Sequence, residues 1–210
     1  MNKKILSKYG NYKNRIKQAI YSLKKNKGII IIDNKNRENE GDLVFCCENM
    51  TVRQMALSIR YGSGIICLCI TELKRKQLHL PMMVKNNTSK YQTGFTVSIE
   101  SAQGVSSGVS AQDRLKTIQT ATSETVIPQD LNRPGHIFPL CAHQNGILSR
   151  PGHTEASITL MILAGYKPMS VICELTNKNG TMSKNKEIIQ FSKLYKMPII
   201  TIEDLILYLQ

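Results

Sequence analysis

The order of apolar and polar positions along the chain predicts helices and strands that are mixed throughout. Between Asn11 and Asn26 apolar residues recur at helical spacing, which predicts an amphipathic helix with a lysine-rich outer face. Gly28 follows as its end signal, and the apolar run from Ile29 to Asp33 is typical of a buried strand. By the same criteria, further strands are predicted over residues 43–47, 65–70, 94–100, 171–175 and 199–202.

Helix signals fill most of the remaining chain. Thr51 and Ser110 are placed as N-caps, Ser110 with Asp113 resembles a capping box, and Gly165 is placed to end an apolar helix. Helices are predicted over residues 52–60, 71–78, 111–122, 156–164, 184–195 and 203–209, and loops over 81–93 and 128–136. The expected fold is α/β, of the α+β type: one domain over residues 1–210, a mixed sheet flanked by helices, and an active site in loops at one end of the sheet.

The chain is strongly basic, which raises nucleic acid as a partner. Its 28 lysines and arginines exceed its 15 acidic residues and give a formal charge of +13. This excess is mainly lysine, is spread over several segments, and accompanies many Asn and Ile residues. Because no recognised RNA- or DNA-binding motif concentrates it, nucleic acid is not expected as the main partner. A basic surface would also attract an anionic sugar phosphate.

Nothing in the sequence suggests a membrane span or a secretory signal. The apolar runs are short, and the N-terminal residues Met-Asn-Lys-Lys-Ile lack the apolar stretch of a leader. We therefore expect a soluble cytoplasmic protein without a membrane partner.

The cysteines lack zinc-type spacing and are interpreted as reduced thiols; they are Cys46, Cys47, Cys67, Cys69, Cys141 and Cys173.

An acidic segment directly after the first predicted strand is the clearest candidate site. It contains Arg37, Glu38, Glu40 and Asp42 on a predicted loop. Carboxylates packed this closely repel one another unless a cation lies between them, and hard divalent metals take oxygen ligands. Arg37 adds a bidentate fork for an anion. The alternative interpretation is a solvated turn.

A second polar segment precedes the apolar helix predicted at 156–164. The residues of this segment are Arg150, Pro151, Gly152, His153, Thr154 and Glu155. Free backbone N–H groups and the helix dipole favour a phosphate there, and a nearby arginine strengthens it. Ordinary N-capping by Thr154 is the simpler alternative.

The remaining candidates are weaker when taken singly. His136 follows a Pro-Gly pair in a predicted loop, and lone loop histidines are more often structural. Glu174 lies in an apolar strand, where it is either functional or on the exposed face. Core packing explains Cys67, and helix capping explains Asp113. The residues alone indicate a divalent-metal enzyme for a small phosphorylated, polyhydroxylated substrate, with its reaction type open.

Six segments, in this order, resemble the 3,4-dihydroxy-2-butanone 4-phosphate synthase family of riboflavin biosynthesis. The resemblance extends from about residue 10 to Tyr208, and it favours the monofunctional form without a GTP cyclohydrolase II domain. The segments are Asp33-x-x-x-Arg37-Glu-Asn-Glu-Gly-Asp-Leu43, Gly62-Ser-Gly-Ile-Ile-Cys67, Gly108-Val-Ser-Ala-x-Asp-Arg114, Asn132-Arg-Pro-Gly-His136, Arg150-x-Gly-His-Thr-Glu155 and Cys173-Glu-Leu-Thr-Asn177.

The resemblance implies an activity and a homodimer. D-ribulose 5-phosphate would be converted to L-3,4-dihydroxybutan-2-one 4-phosphate and formate with Mg²⁺ or Mn²⁺, two ions per active site. Glu38 and His153 would bind metal, and His136 and Glu174 would be catalytic. Substrate contacts are implied for Arg37, Glu38, Asp42, Arg150, Pro151, Gly152, His153, Thr154 and Glu174, and pocket positions for Glu40, Cys67, Ser107 and Asp113.

Three residues depart from what the family usually shows. Ser107 stands where threonine is usual, Cys141 where arginine is often found, and Pro151 where a small residue or glycine is common. Pro151 removes an N–H that would face a phosphate. An alternative from another class is a basic protein that uses a related fold to bind nucleotide or RNA. Joint retention of Glu38, His136, His153 and Glu174 favours the enzyme.

Overall fold

The computed structural model describes residues 10–210. The prediction about a secretory leader concerns residues 1–5, which lie outside the described part of the chain. The helices of residues 10–210 are α1 (Tyr12–Lys24), α2 (Val52–Tyr61), α3 (Glu72–Gln77), α4 (Ala111–Thr122), α5 (Gly146–Ser149), α6 (His153–Ala164), α7 (Asn185–Tyr195) and α8 (Ile202–Leu209). The strands are β1 (Ile29–Ile32), β2 (Gly41–Cys46), β3 (Cys67–Ile70), β4 (Ile99–Ser101), β5 (Leu131–Cys141), β6 (Ser170–Glu174) and β7 (Ile199–Thr201). None of these helices combines the length and apolar character needed to cross a membrane.

The strands form one mixed sheet in the order β4-β5-β3-β6-β2-β1-β7. The pairs β1/β7 and β3/β5 are parallel, and the other four neighbouring pairs are antiparallel. In the antiparallel pair β2/β6, Asp42 lies opposite Glu174. The end of β6 is therefore directly beside the start of β2.

Both faces of the sheet are covered, because alternate residues of its central strands are apolar on each side. On one face, Leu43 and Val171 pack with side chains of α2, α4 and α7. On the other face, Val44 and Ile172 pack with side chains of α1, α6 and α8. This three-layer arrangement confirms the predicted α/β class and the mixed sheet flanked by helices.

Most predicted helices are confirmed to within two residues, because their limits are set locally. Asn11 accepts a hydrogen bond from the backbone of Asn14 and begins α1, and Thr51 caps α2 as predicted. Gly165 ends α6 with a left-handed φ of 83°. Ser110 caps α4, but the carboxylate of Asp113 binds Ser106 and Gly108 instead of completing the predicted capping box.

Four predicted limits near the candidate sites are wrong. Asp42 is inside β2 and not in a loop, because β2 begins at Gly41. The strand predicted at 94–100 is only Ile99–Ser101. Residues 131–136, predicted as loop, belong to β5, which carries a bulge between Asn132 and Ile137 where it pairs with β4. Helix α6 begins at His153, so Thr154 lies inside it and Gly152 is the N-cap.

A buried ion pair joins the first helix to the last. Arg15 on α1 donates from Nε to Asp204 Oδ2 at 2.8 Å and from Nη2 to Oδ1 at 2.5 Å, and both residues are over 90% buried. Asp204 also accepts a hydrogen bond from the backbone of Thr201 and so helps to begin α8. This carboxylate therefore stabilises both a helix start and the contact between the two helices.

We expect Asp204→Ala to lower the free energy of unfolding by about 3 kcal/mol, because it leaves the Arg15 charge buried without this partner. Urea unfolding followed by circular dichroism measures the change. Glu124→Ala is the control, since Glu124 pairs with Lys167 on the surface and is 78% exposed, and it should cause no measurable loss. Equal stability of Asp204→Ala and the unmodified protein would show that the pair contributes nothing.

Candidate functional site

The buried carboxylate of Asp33, immediately after β1, organises the acidic loop. Its Oδ2 accepts hydrogen bonds from the backbone N–H of Glu38 at 2.9 Å and from Arg37 Nη1 at 3.1 Å. Its Oδ1 accepts from the backbone N–H of Glu40 at 2.9 Å. These bonds fold the loop back on the end of β1. Asp33 was included in a family segment but was given no role. A carboxylate directly after a buried strand does indicate a structural or functional role, because burying it is costly unless it has partners.

The loop brings Glu38 and Asp42 to the same imidazole. His153, at the first turn of α6, is 6% exposed; its Nδ1 is 3.5 Å from Glu38 Oε2 and its Nε2 is 3.7 Å from Asp42 Oδ1. The structure thus joins residues separated by more than a hundred positions in sequence. Glu40 is half-buried beside this cluster and interacts electrostatically with Glu38, Glu174 and His153.

Burial and neighbouring charges together set the pKa values of this cluster: burial disfavours the charged form of each group, and nearby charges add to or oppose that effect. Burial disfavours a charged His153, but the carboxylates of Asp42 and Glu38 outweigh it and raise the pKa of His153 to about 9. Burial raises the pKa of Asp42 to about 8, although His153 opposes this shift. Burial also acts to raise the pKa of Glu38, but His153 and Arg37 lower it overall. Burial and the charge of Glu38 raise the pKa of Glu40.

The same cluster fits a hard divalent cation. Asp42 Oδ1 and His153 Nε2 are buried and have no hydrogen-bond partner within residues 10–210, which is costly for polar atoms. Asp33, Glu38 and His153 each offer a ligand atom, and these atoms lie within 4.8 Å of one another. The carboxylate of Asp33 already accepts three hydrogen bonds in the loop. Glu38 and His153, for which the family resemblance implies a metal-binding role, are therefore free of that demand and have ligand atoms placed to bind a cation.

Two arginines flank the cluster and share one tyrosine. The guanidinium of Arg37 contacts Glu38 and lies 4.9 Å from the ring centre of Tyr91, whose hydroxyl donates to the Arg37 carbonyl oxygen. Arg150 donates to Glu155 Oε2 at 2.7 Å and to the Tyr91 carbonyl oxygen at 3.1 Å. The predicted loop at 81–93 is thus fixed to both arginines. No local sequence signal identifies Tyr91.

At the start of α6, Gly152 packs against the ion pair of Arg150 with Glu155. A Cβ on Gly152 would be 2.5 Å from Arg150 Nη1 and 2.8 Å from Glu155 Oε2, so a larger residue would displace this ion pair. Thr154 and Glu155 are buried, which excludes the simple surface cap considered for Thr154. Pro151 lines a cavity of about 900 Å³ together with Asp33 and Arg37.

Glu174 reaches the cluster from β6. It is half-buried, lies opposite Asp42 in the sheet, and accepts a hydrogen bond from Ser63 Oγ at 2.5 Å. The sequence left open whether Glu174 was simply exposed, and Ser63 appeared only within a family segment, without a role. Cys67 is fully buried in β3, and burial raises the pKa of its thiol well above the usual range. Cys67 is thus a neutral neighbour of the site.

The other predicted residues lie farther along the sheet. His136 is on β5, three strand spacings from β2, or about 14 Å at about 4.8 Å per spacing. Its Nδ1 is 3.0 Å from Glu100 Oε1. Ser107 is exposed on the loop that Asp113 anchors. No contact within residues 10–210 joins His136, Ser107 or Asp113 to the Glu38 and His153 cluster.

Cation affinity should fall as the pH is lowered. With its pKa raised to about 9, His153 is protonated at neutral pH and must lose its proton to bind a metal ion. We expect the Mn²⁺ affinity to weaken by up to about tenfold per pH unit between pH 8.5 and 6.5, measured by calorimetric titration. His143→Gln, an exposed histidine outside the cluster, should keep this dependence. A constant affinity over this range would contradict a ligand role for His153.

The chain matches a family model described as 3,4-dihydroxy-2-butanone 4-phosphate synthase over residues 17–208. Among curated relatives, the enzyme of that name from Buchnera aphidicola subsp. Acyrthosiphon pisum (strain Tuc7) is 66% identical over 210 residues, which are 100% of this chain and 98% of the relative. The one from Photorhabdus laumondii subsp. laumondii is 58% identical over 210 residues, covering 100% of this chain and 97% of the relative.

Solved structures with the same name share the fold. A 3,4-dihydroxy-2-butanone 4-phosphate synthase in complex with two magnesium ions has a TM-score of 0.88 and 33% identity, over 92% of this chain and 95% of that one. The Candida albicans protein has a TM-score of 0.86 and 38% identity, over 93% and 97%. Sequence, fold and the metal-binding cluster therefore agree, and the chain belongs to the 3,4-dihydroxy-2-butanone 4-phosphate synthase family.

Proposed function

We propose that the chain converts D-ribulose 5-phosphate to L-3,4-dihydroxybutan-2-one 4-phosphate and formate, as a cytoplasmic step of riboflavin biosynthesis. The observation that carries this proposal is the buried cluster in which Glu38 and Asp42 flank His153. It supports a lyase reaction because enolisation of a sugar phosphate places negative charge on neighbouring oxygens, which a cation in such a cluster stabilises.

We propose Mg²⁺ or Mn²⁺ as the cofactor, with two ions per active site and with Glu38 and His153 as protein ligands. The magnesium-bound relative and the ligand atoms of Glu38 and His153 support this choice. When bound, the cation polarises the substrate carbonyl and stabilises the charge that develops on the substrate oxygens. The protein's own residues supply orientation and proton transfer.

The phosphate is assigned to the start of α6. Backbone N–H groups of His153 and Thr154 are at the positive end of this helix, and Arg150 lies beside them. Pro151 offers no N–H, so the phosphate depends on the groups that follow it. Arg37 and Asp42 are assigned to the polyhydroxylated part of the substrate, and Glu40 and Cys67 to the wall of the pocket.

Glu174 and His136 are assigned to proton transfer. Enolisation removes a proton from carbon, loss of water from the C1 end requires a proton on the leaving oxygen, and the rearranged skeleton then releases C4 as formate. Substrate and the two products together have the same composition, so the water that is lost is taken up again. Glu174 is beside Asp42 at the cluster, and Ser63 holds its Oε2.

Purified protein should release formate from ribulose 5-phosphate when Mg²⁺ or Mn²⁺ is present, and EDTA should abolish the release. Coupled formate detection measures it. Glu174→Gln is the matched variant: it should retain Mn²⁺ binding but lose about 10²-fold or more in turnover, because the amide cannot accept a proton. Absence of formate with protein, substrate and metal all present would overturn the lyase assignment.

We also propose that the chain acts as a homodimer. Large apolar side chains that a lone chain leaves exposed support this, since burying them against a second copy is favourable. Ile162 of α6 is 59% exposed although most of that helix is buried, and Leu148 of α5, the preceding helix, is 65% exposed.

Sedimentation equilibrium should give a mass of about twice 23.6 kDa, the mass of one chain. Because a dimer of this kind dissociates on dilution, specific activity should also fall at low protein concentration if both chains contribute to each site. A single-chain mass in a fully active sample would refute the dimer.

A further inference from the structure

His136 is held by a neighbour that the sequence did not single out. Its Nδ1 is 3.0 Å from Oε1 and 3.3 Å from Oε2 of Glu100, the second residue of β4. Both carboxylate oxygens therefore face the same ring nitrogen. The imidazole is 43% exposed, whereas the glutamate side chain is only 16% exposed. A protected carboxylate thus contacts one nitrogen of a partly exposed histidine ring.

The contact between His136 and Glu100 depends on the bulge in β5. Ile99 pairs with Ile137 and Glu100 pairs with Asn132, so residues 133–136 have no partner on β4. Gly135 makes the bulge possible, because a Cβ there would lie 2.1 Å from the Ile99 carbonyl oxygen. The bulge directs His136 back toward the carboxylate of Glu100.

The loop that contains Gly108 packs directly on the carboxylate of Glu100. A Cβ on Gly108 would lie 1.3 Å from Glu100 Oε1, so the backbone of that loop packs directly on Glu100. Gly108 donates from its N–H to Asp113 Oδ2 at 3.2 Å, and Ser106 donates to the same oxygen at 2.7 Å. Asp113 therefore holds the loop that packs on Glu100.

The contact determines which nitrogen of His136 carries a proton. An ionised carboxylate only accepts hydrogen bonds, so the Nδ1 that faces Glu100 must be the protonated nitrogen. Nε2 is then left with a lone pair, on a ring that is 43% exposed. A base that exchanges protons with a substrate needs this tautomer.

We propose that Glu100 is a positioning residue, which fixes the orientation and the Nδ1–H tautomer of His136 for proton transfer at Nε2. This inference rests on the proposed function only for its catalytic consequence, because the tautomer is a property of the free protein. Glu100 touches neither substrate nor metal in this role.

Glu100→Leu is the first test, since leucine keeps about the same size but removes the acceptor that faces Nδ1. In ¹⁵N spectra of histidine-labelled protein, His136 should change from the Nδ1–H to the Nε2–H tautomer. His136→Gln assigns its signals among the four histidines. Turnover should fall about 10²-fold with little change in KM. Glu72→Leu, at a carboxylate of similar exposure paired with Arg75, is the matched control and should leave the tautomer unchanged.

The double variant separates positioning from loss of folding. If Glu100 acts only through His136, Glu100→Leu combined with His136→Gln should be no slower than His136→Gln alone. An unchanged tautomer in Glu100→Leu overturns the proposal, as does normal turnover with an inverted tautomer or a further full loss in the double variant. Normal turnover of His136→Gln would instead remove His136 from the proposed function, while the tautomer measurement would still report on Glu100.

Discussion

The candidate site depends on the confinement of several carboxylates around one imidazole. Asp33 binds the backbone of the acidic loop, and this leaves Glu38 and Asp42 facing His153. Like charges held this closely would separate in water, so the rigid end of β1 and the start of β2 must keep them together. The raised pKa values of His153 and Asp42 follow from this confinement. The same confinement therefore explains why the cluster favours a cation and why the pKa values of His153 and Asp42 are raised.

Local features of this structure were predictable from the sequence because they are determined within a few residues. The cap at Thr51 and the glycine at position 165 fixed helix limits that the structure confirms. The segments that carry Glu38 and His153 were also found, because unusual polar residues beside apolar runs can be recognised from the sequence alone. Their pairing came from family resemblance, and the structure places them in contact.

The features that were missed depend on register and on distant contacts. Asp42 was assigned to a loop because nothing in the sequence shows that β2 begins at Gly41 to pair with β6. His136 was assigned to a loop because it lies in a bulge of β5. A bulge is recognisable only from the pairing with the partner strand, which is β4 here. Tyr91 and Glu100 acquire their roles only through residues about forty or more positions away. Alternation and spacing carry no information about such contacts.

Gly41 shows how the opposite face of the sheet bears on the acidic loop. A Cβ at this position would lie 2.7 Å from Ile188 Cδ1 of α7, on the face away from His153. The backbone at Gly41 also accepts a hydrogen bond from Leu175, next to Glu174. A side chain at position 41 would therefore have to displace Ile188. The start of β2, which carries Asp42, thus depends on packing at the sheet face opposite the candidate site as well as on the acidic loop.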